Sequence, residues 1–125
     1  MSEMFQKTQM LSKTASFYLD RTKVIQSNIA NADTPGFKPK DLVFEKILDD
    51  QIELKKTDPK HIDPKSNNKM EKKLITEGRY QGYDENMVDI QKELAKLAES
   101  SIMYKSAVEA MKKEFSKLKL SISGR

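Results

Sequence analysis

Two stripes of apolar side chains, one at each end of the chain, constrain this sequence more than any other feature. Steps of four and three from Met4 pass through Thr8, Leu11, Ala15, Tyr18, Thr22, Ile25, Ile29 and Ala32, and seven of the nine are apolar or aromatic. Steps of three and four from Met87 pass through Ile90, Leu94, Leu97, Ser101, Tyr104, Val108, Met111, Phe115, Leu118 and Ile122, with Ser101 the single polar member. A repeat of 3.5 residues is the spacing of a coiled-coil seam, in which every apolar side chain returns to one side of a helix. No Pro or Gly interrupts either stripe, so each predicts one long helix, the second reaching to Gly124. Asp84 or Asn86 is the expected N-cap of the second helix.

The segment between them is of another kind. It holds all four prolines and three of the four glycines, and only Ile52, Leu54 and Ile62 are aliphatic between Asp50 and Lys69. It is expected to be an extended, mobile loop with two short strands at Gln51–Lys55 and Lys72–Thr76. The predicted organisation is therefore one mainly α domain. Residues 1–32 form an N-terminal coiled-coil helix, 33–85 a turn and an extended middle, and 86–125 a C-terminal coiled-coil helix. The two helices pair through their seams, with Tyr18, Ile25 and Ile29 facing Leu97, Tyr104, Val108 and Met111. Phe5, Phe17, Leu19, Val24, Ile102 and Leu120 fall off both seams, and burial against other subunits is expected for them.

Composition narrows the chemistry. With no Cys, a disulfide framework, a thiol nucleophile and a zinc-thiolate site are excluded. The single His61, between two Asp-Pro-Lys triplets, reads as a surface residue, and the acid pairs Asp49-Asp50 and Asp84-Glu85 sit in polar segments that give no reason for a raised carboxylate pKa. No enzyme activity, cofactor or metal is expected. The net charge is +4, but charges of both signs are interleaved as on a solvated surface, so nucleic acid is not the expected partner. No stretch is apolar enough for a membrane span, and Met1 to Met10 lacks the regions of a secretory signal peptide. A soluble coiled-coil adaptor or secretion chaperone fits the heptads equally well.

Asn28 to Lys38 reads N-I-A-N-A-D-T-P-G-F-K. Physically it is a helix exit: Asn31 and Asp33 can bond nearby backbone, Thr34 is pushed towards an extended conformation by Pro35, and Pro35-Gly36 suits the two central positions of a type II turn. Phe37 follows as an apolar anchor. The string of Asn28, Ala30, Asn31, Thr34, Pro35, Gly36 and Phe37 just after an N-terminal helix resembles the signature of bacterial flagellar rod and hook axial proteins. The run Lys38 to Phe44, the string Asn86-Met87-Val88-Asp89 and the C-terminal heptad helix are similar to the short proximal-rod members of that family. Asp84-Glu85-Asn86 stands where those members usually have Asp-Gly-Asn.

The resemblance implies a non-catalytic subunit, exported through the flagellar type III apparatus without a cleaved signal and built helically into the basal-body rod in the periplasm. It implies as partners copies of the chain itself, the rod proteins FlgC, FlgF and FlgG, the FliE adaptor, the MS-ring protein FliF and the export gate. Phe44 to Leu48 matches an F-x-x-x-Φ pattern that export gates read in such subunits.

Overall fold

The computed structural model describes residues 2–47, 69–76 and 86–124. Helix α1 spans Ser2–Ala30, strands β1 and β2 span Lys40–Ile47 and Lys69–Thr76, and helix α2 spans Ile90–Ser123. At 1.5 Å per residue the helices are about 44 and about 51 Å long. They run antiparallel: Lys7 at the start of α1 lies 3.7 Å from Glu114 near the end of α2, while Asn28 at the end of α1 reaches Glu93 near the start of α2. The strands form one antiparallel pair, Lys40 opposite Thr76 and Ile47 opposite Lys69. The mainly helical architecture with short strands is the one expected from the sequence.

The helix ends follow from local chemistry. Helix α1 stops two residues before Ala32, because Asn31 to Asp33 already belong to a turn in which Thr34 N–H donates to Asn31 O. Helix α2 starts at Ile90, and its N-cap is Asp89, whose carboxylate accepts from Lys92 N–H at 3.3 Å. Asn86 does not cap it, because its side chain is committed to the turn after α1. At the other end Gly124 takes φ +63° and donates to Leu120 O, a left-handed C-cap that a Cβ would disfavour.

The nine seam positions from Met4 to Ala32, the first eight of them in α1, are all buried or half-buried. On α2 the deepest row is Glu93, Ser100, Ala107 and Glu114, each seven residues from the next. Leu97, Tyr104, Met111 and Leu118 border it and are half-buried. Ile90, Leu94, Phe115 and Ile122, also on the predicted seam, stay 47, 51, 54 and 73% exposed, and Val108 is half-buried. The intramolecular contact is therefore turned by roughly 60° from the centre of the apolar stripe, since Leu94 and Phe115 each follow a deep residue by one position, about 100° round the helix. The physical reason is width: α2 carries a broader apolar arc than one neighbouring helix covers.

The hairpin explains one residue placed off the seams. Phe17 is buried within the chain, not held for another subunit, because Phe44 of β1 stacks on it with ring centroids 3.7 Å apart. No strand is expected at β1 from the sequence, where it is only the run after the turn. Its apolar run Leu42-Val43-Phe44 between Asp41 and Glu45 suits a short strand, and Phe44 covers α1. Lys72–Thr76 lies inside β2, whereas Gln51–Lys55, the loop around 50–68 and Leu48 fall outside the described residues.

Ser100 offers a direct test of packing. It is fully buried, and its hydroxyl has no hydrogen-bond partner among the described residues. An unpaired buried hydroxyl costs about 1–3 kcal/mol, and Ala is the better helix former by about half a kcal/mol. Ser100→Ala is expected to raise stability by about 1 kcal/mol in urea unfolding; a loss of stability would show that the hydroxyl is bonded.

Candidate functional site

The polar side chains that the sequence left without a role converge where α1, β1 and α2 meet. Arg21, in the last third of α1, forms a two-pronged bond with Asp41 of β1: Nε donates to Oδ1 at 3.0 Å and Nη2 to Oδ2 at 3.2 Å. Leu42 N–H donates to Asp41 Oδ1 at 2.7 Å, and Lys96 Nζ of α2 lies 3.3 Å from Oδ2. Lys96 is also 3.5 Å from Glu93, and Arg21 reaches out to the exposed Glu99 at 3.6 Å. Asp41 and Glu93 have side chains only 5 and 3% exposed. Two cations thus face two buried carboxylates, the arrangement that makes burial of charge tolerable.

Asn28 closes the cluster with both ends of its carboxamide. Its Nδ2 donates to Lys40 O at 2.7 Å and to Glu93 Oε2 at 2.9 Å, and its Oδ1 accepts from Lys40 N–H at 3.0 Å. The side chain pairs with the first residue of β1 much as a neighbouring strand would, and ties that residue to α2. Asn is suited to this because it offers a donor and an acceptor in one plane without charge.

A second amide holds the turn itself. Asn86 Nδ2 faces Asn31 O, Ala32 O and Thr34 O at 3.1, 2.6 and 2.7 Å, and its Oδ1 accepts from Val88 N–H. Met87 N–H donates to Phe37 O at 3.2 Å. Asn31 and Thr34 bond through their side chains at 3.2 Å, and Phe37 N–H closes the turn onto Thr34 O. Gly36 sits at φ +70°, as the third position of a type II turn requires. The structure therefore joins Asn28 to the first turn of α2, and Asn31, Thr34 and Phe37 to Asn86 and Met87 just before it, with Gly36 within the turn. Pro35 is exposed in the turn, and Ala30 is exposed on α1. Phe44 faces Phe17, away from this junction.

The electrostatics follow from the contacts. Burial pushes the Asp41 carboxyl up, but the bonds from Arg21 and Leu42 N–H and the charge of Lys96 outweigh it and hold Asp41 below the ordinary carboxylate value. Arg21 is raised in turn, chiefly by its bond to Asp41. These groups neutralise one another and fix three elements in register. Sequence reasoning missed Arg21, Asp41, Glu93 and Lys96, because no local spacing marks a contact between residues 20 to 55 apart. Among the described residues no group of three or more His, Cys, Asp or Glu is placed to hold a metal ion, and no helix is long and apolar enough to cross a membrane.

Comparison with known proteins falls on this junction. A family profile described as flagella basal body rod protein matches residues 19–38, which run from the Arg21 turn of α1 through Asn28 and the Pro35-Gly36 turn. The flagellar basal body rod protein FlgB of Bacillus subtilis (strain 168) is 38% identical over 109 residues, 83% of each chain. That of Aquifex aeolicus (strain VF5) is 32% identical over 124 residues, 98% of each chain. That of Aeromonas hydrophila is 32% identical over 109 residues, again 83% of each.

Two outcomes test the junction. Asp41→Asn leaves Arg21 and Lys96 short of a buried counter-charge and is expected to cost about 3 kcal/mol near neutral pH. An unfolded Asp titrates near ~3.9, and a folded value below it means the contribution is complete above that range and is lost as pH falls through the folded value. The gap between parent and variant in urea unfolding should therefore be full near neutral pH and shrink as pH falls below the unfolded value and through the lowered folded one. Gly36→Val is expected to destabilise by about 1–2 kcal/mol through backbone strain alone, since a Cβ at this position would meet no atom within 4 Å. An unchanged urea midpoint would sink the turn assignment.

Proposed function

Because the chain belongs to the FlgB family of flagellar basal-body rod proteins, we infer that it is a structural subunit of the rod of the bacterial flagellar basal body. The observation that carries this reading is the identity to the FlgB of Bacillus subtilis, 38% across 83% of both chains, with the profile match running from the last third of α1 through the turn after it. The subunit takes the proximal position in the rod. It reaches that place through the flagellar type III apparatus without loss of a signal peptide, and assembles helically in the periplasm. Its neighbours there are further copies and the rod proteins FlgC, FlgF and FlgG, with the FliE adaptor, the ring protein FliF and the export gate at the base.

The chemistry on the page supports a mechanical role. An open contact that does not close on itself propagates as a helix of subunits. A helix pair roughly 50 Å long, pinned at one end by paired charges and carrying uncovered apolar residues, is suited to pack lengthwise against neighbours and pass on torque. In this reading residues 1–32 and 86–125 supply the assembling seams, Leu11, Tyr18, Ile25 and Ile29 on one side and Ile90 to Ile122 on the other. The turn from Asn28 to Phe37 and the strand Lys40–Ile47 set how the two approach, and Phe44 with Leu48 serves export.

Deletion of the gene in a motile bacterium is expected to abolish the external filament, and a complementing copy should be recovered in purified basal bodies. A deletion strain that still swims would falsify the rod assignment.

A further inference from the structure

The uncovered half of the α2 stripe has a definite electrostatic border. Leu94, Ser101, Val108, Phe115 and Ile122 recur every seven residues on the flank of α2 turned away from Lys96 and Glu99, which face the hairpin and Arg21; Leu94, Phe115 and Ile122 are exposed, and Ser101 and Val108 are half-buried. The stripe is continuous with the α1–α2 contact. At its far end Phe115 and Leu118 line a small cavity of about 30 Å³ together with Met4, Phe5 and Thr8 of α1. A strict seven-residue repeat is the geometry that accepts another helix.

The row just outside the stripe is Ala98, Lys105, Lys112 and Lys119, also seven apart and all exposed. Lys112 bonds Glu109 at 2.8 Å, while Lys105 and Lys119 have no acidic partner among the described residues. In a coiled coil the residues in such a row meet the flanking positions of the incoming helix, and their charges select the partner.

A second copy fits this border poorly. The acids exposed or half-exposed on α1 and α2 are Glu3, Asp20, Glu99 and Glu109. Asp20 is bonded to Lys72 at 2.6 Å and Glu109 to Lys112, and no two of the four stand seven apart. Neither helix of another copy presents an acidic row to set against the lysines.

We propose that this flank of α2 is a docking site for a helix from a different chain, one with apolar residues at heptad spacing bordered by Asp or Glu. The inference rests on the rod-subunit reading for where that partner is met, and it adds that contacts between identical copies use other surfaces.

The test places the photo-cross-linker p-benzoylphenylalanine at Ala98 in the full chain, in cells where the chain complements a deletion, and maps the adduct in purified basal bodies by mass spectrometry. The expected product joins α2 to a heptad helix of another protein with acidic residues at its flanking positions. Lys105→Glu, Lys112→Glu and Lys119→Glu together should lower its yield about tenfold or more. The equal charge change Lys13→Glu, Lys23→Glu and Lys113→Glu should leave it in place, with helicity by circular dichroism unaltered in both sets.

The chain has no native cysteine, so Leu94→Cys and Val108→Cys report independently. Both should label with a maleimide in the soluble subunit and be protected in basal bodies. An adduct of twice the chain's own mass, an adduct with a helix lacking acidic flanks, or full labelling of both cysteines in basal bodies would each overturn the proposal. Absence of the chain from basal bodies would instead sink the rod reading beneath it.

Discussion

Asp41 is the point on which the arrangement of this subunit turns. It belongs to the hairpin, yet its carboxylate is gripped by Arg21 of α1 and approached by Lys96 of α2. Without it Arg21 would keep the exposed Glu99 but lose its buried carboxylate, and Lys96 would lose one of the two buried carboxylates beside it. With it the strand has one permitted register against both helices. Glu93 and Asn28 then complete the same cluster, so that the backbone of Lys40, the end of α1 and the start of α2 are joined through one carboxamide.

Such a cluster is a device for geometry more than for stability. Exchanging charge for charge in a buried site brings little net free energy, but removing one partner is expensive. The apolar contacts do the opposite. Apolar side chains that are buried or half-buried on the two helices, Met4, Leu11, Tyr18 and Ile25 on α1 and Leu97, Tyr104, Met111 and Leu118 on α2, tolerate small shifts along the helices, whereas hydrogen bonds and ion pairs at the polar end depend closely on distance. The Asn86 amide extends the same logic to the turn, where its NH2, with two N–H donors, sits among three backbone carbonyls.

The two helices, the seam of α1 and the turn around Gly36 were legible in the sequence because each rests on local spacing or on one residue's conformational freedom. Strand β2 was half legible, through Lys72–Thr76. What the sequence hid was relative placement. Periodicity gives the centre of the α2 stripe but not which flank α1 occupies, and the deepest row holds Glu93 and Glu114, residues that no hydrophobic pattern would select. Phe17 looked unpartnered on α1 because its cover, Phe44, arrives from a strand 27 residues later whose pairing is non-local. The ion pairs joining Arg21, Asp41 and Lys96 were invisible for the same reason.

The antiparallel course of the helices makes the subunit mechanically unequal in different directions. Its first residues lie beside the end of α2, where apolar side chains and the partly exposed Lys7–Glu114 pair meet and one face is open, while the buried Arg21–Asp41–Lys96 junction is at the far end. A pull on the N-terminus peels α1 away one turn at a time and meets the junction last. Twist or shear along the pair instead loads every turn together with the Arg21–Asp41 clamp. One fold is thus soft along the route by which a chain is unravelled and stiff along the directions in which a shaft is strained.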